Sequence, residues 1–304
     1  MSQFRALFVV VFAVFAVFGT HGAPNVKATT SAYSDAFTRK YFPTIFASTE
    51  APNATNCLNQ VFTNYELRKH INVKCDKTDG LDTCSGLTLV SHDDKAIIMA
   101  FRGTKGKLQL LVESEEVLYN NKTAWYGGGN VGFYFARAFN LIWNAGMKDD
   151  FNTLNHMYPG YEVWIGGHSL GGSMAALASN FVIANGLATS SRLKMITFGE
   201  PRTGDKAFAD THDQLVPYSY RVIHKRDIVS HIPLDGQAGF HHHRNEIWYD
   251  NDMAENAKYK ECDAQESPLC SDGHLDYVIS DHHHYFGMYM TFYGRRNCTG
   301  DPAN

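Results

Sequence analysis

The stretch Tyr161-Glu162-Val163-Trp164-Ile165-Gly166-Gly167-His168-Ser169-Leu170-Gly171-Gly172-Ser173-Met174-Ala175-Ala176-Leu177-Ala178 passes from a short apolar run, through a glycine-rich turn, into small and apolar residues. The run ending at Ile165 reads as a buried strand. Residues 173–182 read as a helix that stops at Asn185-Gly186. Between them, Gly167-His168-Ser169-Leu170-Gly171 has the spacing of a strained strand-to-helix turn. Such a turn needs Gly167 and Gly171, because only residues without a Cβ let the flanking backbones close up. Ser169 then projects its hydroxyl into a cleft, and the first amides of the helix point at the same place. The five residues alone are a pattern that chance supplies often enough, so the flanks have to carry the reading.

Working outward, Lys95-Ala96-Ile97-Ile98-Met99-Ala100-Phe101 is a second buried strand, feeding Arg102-Gly103-Thr104. Leu193-Lys194-Met195-Ile196-Thr197-Phe198 is a third, stopped by Gly199-Glu200-Pro201, and residues 218–224 form a fourth, stopped by Lys225-Arg226-Asp227. Residues 132–147 read as a helix with Phe135, Phe139, Ile142 and Trp143 on one face. Strands alternating with helices predict an α/β fold, a mostly parallel sheet with helices around it, whose sites lie at the carboxyl ends of the strands.

The first residues, Met1-Ser2-Gln3-Phe4-Arg5, lead into an uncharged apolar stretch over 6–18 and then Gly19-Thr20-His21-Gly22-Ala23. One basic residue, a short apolar segment and small residues at the cut describe a signal peptide over 1–22, and the segment is short for a membrane span. The mature chain, 23–304, has no Pro- or Ser-rich linker and no repeat and is expected to fold as one domain. With Arg5 gone, the formal charge moves from -4 to about -5, without long blocks of one sign, which excludes a nucleic-acid footprint. No later apolar stretch is long enough to span a bilayer. All six cysteines follow the cut, as disulfides in an oxidising compartment would, and no CxxC metal spacing occurs. The sequons at Asn53, Asn121 and Asn297 are glycosylation acceptors if the chain is secreted.

A serine hydroxyl is a poor nucleophile until a base takes its proton, and the base needs an acid to hold its tautomer. Five segments occur in the order such an enzyme requires. Gly167-His168-Ser169-Leu170-Gly171-Gly172 resembles the turn of the class 3, or fungal-type, lipase family, which belongs to the α/β-hydrolase superfamily. Phe101-Arg102-Gly103-Thr104 is similar to that family's oxyanion loop, and Ile196-Thr197-Phe198-Gly199-Glu200-Pro201-Arg202 to the strand and loop after its turn helix. His224-Lys225-Arg226-Asp227-Ile228-Val229-Ser230-His231-Ile232-Pro233 resembles its acid segment, and Asp281-His282-His283-His284-Tyr285-Phe286-Gly287 its histidine segment. The resemblance covers roughly residues 57–298, and five ordered motifs are far more specific than one.

The resemblance implies an α/β-hydrolase fold and a secreted, extracellular ester hydrolase that cleaves lipid esters through an acyl-enzyme, acting in transient contact with a lipid–water interface. Ser169 is then the nucleophile, Asp227 the acid and His282 the base, with the amides of Leu170 and Thr104 holding the oxyanion. Asp205, Asp213 and Asp235 are rival acids, but only Asp227 ends an apolar strand inside the matching motif. His283 and His284 are rivals one and two places along, and His168 reads as a core histidine under the turn. The implied disulfides join Cys57 to Cys298 and Cys262 to Cys270, leaving Cys75 with Cys84. Leu108, Leu111 and Val112 sit at helical spacing where the family often has a lid, without the aromatic residue such lids often carry. The runs His241-His242-His243 and His282-His283-His284 lack HExxH spacing, so neither a metal nor another cofactor is expected. Alternative functions are a feruloyl-type or phospholipid esterase, or a secreted lipid-binding protein that has lost catalysis.

Overall fold

The computed structural model describes residues 32–75, 83–103, 119, 121–234 and 237–304. In chain order its main strands are β1 (Tyr65–Lys74), β2 (Thr83–Ser91), β3 (Ala96–Arg102), β4 (Lys122–Ala124), β5 (Asn130–Gly132), β6 (Glu162–His168), β7 (Leu193–Phe198), β8 (Gly204–Asp205), β9 (Ser219–His224), β10 (Phe240–His241), β11 (Glu246–Tyr249) and β12 (Lys260–Cys262). The helices are α1 (Asp35–Glu50), α2 (Ala54–Leu58), α3 (Phe133–Ile142), α4 (Lys148–Met157), α5 (Leu170–Ala184), α6 (Lys206–Leu215), α7 (Ser280–His283) and α8 (Met290–Arg295).

Eight strands form the central sheet in the order β1-β2-β3-β6-β7-β9-β11-β12. The five from β3 to β11 run parallel, while β1, β2 and β12 are antiparallel additions at the edges. Successive side chains of a strand leave on opposite faces. Ile97, Met99 and Phe101 of β3 therefore enter one apolar core with α3, α4 and α5. Ala96, Ile98 and Ala100 enter a second core with α1 and α8. Both faces being covered, β3 is buried along its whole length, which is why its sequence is apolar without alternation. A smaller sheet, ordered β10-β8-β5-β4, lies beside this single domain's main sheet.

The four strands expected from the sequence are β3, β6, β7 and β9, and the helix expected over 173–182 is the core of α5. The helix expected over 132–147 ends sooner, at Ile142. A π-helical turn over Trp143–Met147 follows, with Gly146 at φ 128°, and the chain continues as α4. Only glycine adopts that φ readily, and it redirects the helix axis there.

Register fixes where the site lies. Arg102 pairs with His168, His168 with Phe198, and Phe198 with Val222, so β3, β6 and β7 end level with one another and β9 runs two residues further, to His224. The residues that follow, Gly103, Ser169, Gly199 and the 225–227 turn, are thus set along one edge of the sheet.

Candidate active site

Ser169 occupies the turn between β6 and α5 at φ 61° and ψ -134°, a conformation that costs a non-glycine residue about 1–3 kcal/mol. The surrounding glycines make it attainable. A Cβ on Gly167 would collide with the carbonyl of Gly171, one on Gly171 with the carbonyl of Phe101, and one on Gly103 with the Leu170 side chain. The Ser169 amide donates to the Phe198 carbonyl (2.9 Å), tying the turn to the end of β7. The first two amides of α5, those of Leu170 and Gly171, precede any partner within the helix, while the Gly172 amide donates to the Ser169 carbonyl (2.8 Å).

Asp227 stands just beyond β9, fully buried, and caps a short 3₁₀ turn over Ile228–His231 by accepting from the Val229 amide (2.8 Å). Its carboxylate also accepts from Nδ1 of His282, at 2.9 and 2.8 Å to the two oxygens, and from the Tyr285 hydroxyl at 2.6 Å. Burial alone would raise this carboxyl, but the charge of His282 and the hydrogen bonds of His282 and Tyr285 outweigh it and hold the group down to about 2. Asp227 is therefore ionised throughout the ordinary pH range. Burial and the neighbouring Asp227 push the Tyr285 phenol well up, so it remains a donor.

His282 lies on the four-residue α7 and is completely buried. Backbone hydrogen bonds stitch its segment to the acid loop: Val278 N–H donates to Arg226 (2.8 Å) and Ile228 N–H to Val278 (3.4 Å). Asp281 adds two more, its carboxylate accepting from the Arg226 amide (3.0 Å) and its carbonyl lying 3.0 Å from Nδ1 of His224. Among the described residues Nε2 of His282 is buried and has no hydrogen-bond partner. Gly199 closes the arrangement. At φ 56°, a Cβ there would stand 2.5 Å from Asp227 Oδ2 and 2.7 Å from His282 Nδ1. Since the residue before it accepts from Ser169, the end of β7 brings the serine turn and the Asp227–His282 pair to one place.

The rivals are engaged elsewhere. Asp205 caps α6 through the Phe208 amide (3.0 Å), and Asp213 binds the Arg244 amide and Gln265. His283 packs its ring on Tyr289, and Nε2 of His284 lies 3.3 Å from the Ala303 carbonyl. His168 is half-buried rather than under the turn, its ring against His282. In the other histidine run, Nε2 of His242 meets the Ser230 carbonyl (2.7 Å) and His243 meets Glu200 (3.2 Å). Among the described residues no His, Cys, Asp and Glu group could hold a metal ion. Thr104, the lid candidates Leu108, Leu111 and Val112, Asp235 and the 1–22 segment lie outside the described residues. Disulfides join Cys57 to Cys298, Cys75 to Cys84 and Cys262 to Cys270, with Cα separations of 5.1, 5.7 and 6.3 Å. Asn53 and Asn121 are exposed and Asn297 is half-buried, its side-chain carbonyl accepting from the Asn53 amide.

Three contributors carry no role in the sequence reading: Gly199, Tyr285 and Asp281. All stand inside quoted motifs, so their presence was visible; what they touch depends on contacts across some 30 to 80 positions of chain, which no local pattern encodes.

A parallel-sheet scaffold with a strained serine turn feeding a helix, and a buried Asp–His pair on the next loops, defines an α/β-hydrolase. A class 3 lipase family model matches residues 98–237. A lipase of Caenorhabditis elegans is 30% identical over 334 residues, covering 99% of this chain and 91% of its own. The solved lipase of Rhizopus microsporus var. chinensis superposes with a TM-score of 0.72 at 25% identity, covering 87% of this chain and 94% of its own. A solved triacylglycerol lipase, whose catalytic centre is described as a serine protease triad, superposes with a TM-score of 0.73 at 23% identity, covering 86% of this chain and 97% of its own. The chain belongs to the class 3 lipase family and is a carboxylic ester hydrolase.

Proposed function

We propose that Ser169, Asp227 and His282 form the catalytic triad of a secreted, triacylglycerol lipase-like enzyme. The observation that carries this reading is the pairing of His282 Nδ1 with the ionised Asp227, which leaves Nε2 buried and unspent at the edge where the strained Ser169 stands. The Ser169 hydroxyl attacks the acyl carbonyl of a lipid ester as His282 Nε2 takes its proton. Asp227 holds the imidazole with its proton on Nδ1 and favours the imidazolium that forms. The Leu170 amide and, from the family resemblance, the Thr104 amide receive the oxyanion, each worth about 2.7–4 kcal/mol of barrier. His282 then protonates the leaving alcohol. Water, deprotonated by the same histidine, releases the fatty acid from the acyl-enzyme. No step requires a cofactor.

The mature chain is read as residues 23–304, glycosylated at Asn53, Asn121 and Asn297, and drawing substrate from a lipid–water interface. Three disulfides support an oxidising compartment. The test is hydrolysis of tributyrin, long-chain triacylglycerol, phospholipid and feruloyl esters by the secreted protein, with and without chelator, beside Ser169→Ala. Triacylglycerol cleavage that resists chelator and vanishes in Ser169→Ala is expected. Undiminished turnover by the variant would overturn the triad.

A further inference from the structure

His168 is the last residue of β6 and the immediate neighbour of Ser169, yet its side chain attends to the other end of the site. Its ring stacks on that of His282 with centroids 4.4 Å apart and planes 26° apart. Its Nε2 lies 2.9 Å from the main-chain carbonyl of His282 and, facing a carbonyl, must carry the proton and donate. Burial, reinforced by the charge of His282, lowers its pKa to about 3 and keeps it neutral at working pH.

His282 needs such a support. It sits on a helix of four residues, at the end of a long stretch with little regular structure. The bond from Nδ1 to Asp227 fixes one point of the ring but leaves it free to rock about that point, and rocking would swing Nε2 away from Ser169. β6, by contrast, is locked between β3 and β7 by parallel pairing on both sides. We propose that His168 is a positioning residue for His282: its ring face stops the base from rocking, its N–H pins the base's backbone, and both are referenced to the strand that carries the nucleophile. This rests on the triad reading. A donor-bearing aromatic ring does both tasks at once; leucine or phenylalanine would do one, asparagine or glutamine the other. The titratable groups facing His282 are Asp227 at Nδ1, His168 on the ring face and His283 at 6.3 Å, with Tyr285 behind the Asp227 carboxylate.

The experiment uses the full mature protein on a soluble, monomeric short-chain p-nitrophenyl ester, so that lipid surfaces play no part. His168→Ala should lower kcat about 10- to 100-fold, the scale on which misplacement of a catalytic group acts, with KM within about twofold. His168→Gln, which keeps a donor, and His168→Phe, which keeps the ring, should each fall between the alanine variant and wild type. A folded His168→Ala with wild-type kcat, or with KM rising in place of a loss in kcat, overturns the proposal. If the alanine variant does not fold, wild-type kcat in both the glutamine and phenylalanine variants overturns it equally. Nitrogen NMR of the wild-type imidazoles gives an independent reading: His168 should stay neutral with its proton on Nε2 from about pH 5 to 9, and titration in that range overturns the assignment. Ser169→Ala separates the two claims. If it remains active, the triad reading falls and His168 with it; if it is dead while His168→Ala matches wild type, only the positioning role falls.

Discussion

Two runs of three histidines lie in the carboxyl-terminal half, and the structure sets one histidine of each against a carboxylate. His282 meets Asp227 at 2.8 Å on the side of the sheet edge where Ser169 stands. His243 meets Glu200 at 3.2 Å through Nε2, and its Nδ1 lies 3.3 Å from the Ser219 hydroxyl. By composition the second set is also a serine, a histidine and an acid. Its second ring nitrogen is consumed, however: Ser219 also bonds His212 at 2.9 Å, His212 lies against His243 with centroids 4.1 Å apart, and all of these residues are buried. A histidine–carboxylate pair becomes a base when its other nitrogen is left unspent beside a reachable hydroxyl. Where both nitrogens of the ring are engaged in a buried network, as in His243, the same residues are structural glue.

The widest separation should come from removing one histidine from each set. His282→Ala is expected to cut kcat on ester substrate by about 10⁴-fold or more, and to cost stability as well, because the buried Asp227 loses its partner. His243→Ala should keep kcat per folded molecule within a few-fold and lower unfolding free energy by about 1–3 kcal/mol, because Glu200 loses a buried partner. Parallel kinetics and denaturation decide it, and a His243→Ala enzyme that folds well but is dead would erase the distinction.

Gly199 is next in size. It borders Glu200 in sequence and the Asp227–His282 pair in space, and its φ of 56° is one that alanine takes only under strain. Gly199→Ala should lower kcat about 100-fold by displacing the pair, and lose stability both through its φ and through the displaced Asp227 and His282. Tyr285→Phe should be milder, about tenfold in kcat/KM, since it removes one of several donors to Asp227. The same change should raise the Asp227 pKa, read directly by carbon NMR of the carboxyl.

Acid should act on the buried histidines and on Asp227 in different pH windows. Burial lowers His212 and His242 well below the ordinary histidine value, so the unfolded chain takes up their protons first and stability begins to fall as pH drops below about 6.5. Asp227 is depressed to about 2, so what it contributes is fully present above the unfolded value near 4 and is lost between there and about 2. Urea denaturation at stepped pH should resolve an early loss that shrinks in His212→Gln and a later one that shrinks in Asp227→Asn.

How much of this could be read in the chain follows from which contacts are local. Strand β7 has the limits the sequence reading assigns it, because a run from Leu193 to Phe198 ending at glycine is unambiguous without any partner. β1 escaped the reading: ten residues, Tyr65–Lys74, carry four charged side chains and a mostly exposed face, since they lie on a sheet edge. α1 and its core under the sheet were equally invisible, the helix being held by tertiary packing on β3 and α8. In the site, Ser169, Asp227 and His282 could be picked out because each stands in its own motif. That His168 stacks on the proposed base is a fact about the end of β6 and a short helix 114 positions further along the chain.

The bond between Cys57 and Cys298 spans 241 positions and encloses all three proposed triad residues. In chain-entropy terms such a closure is worth about 5 kcal/mol, but its mechanical meaning is different. A force pulling the two ends of the chain apart is carried across that single sulfur link, and the loop behind it bears no load. Tethered at its termini, the molecule should give up only the contour length outside the staple and keep hydrolysing under tension, until a reductant opens the link and hands the load to the sheet.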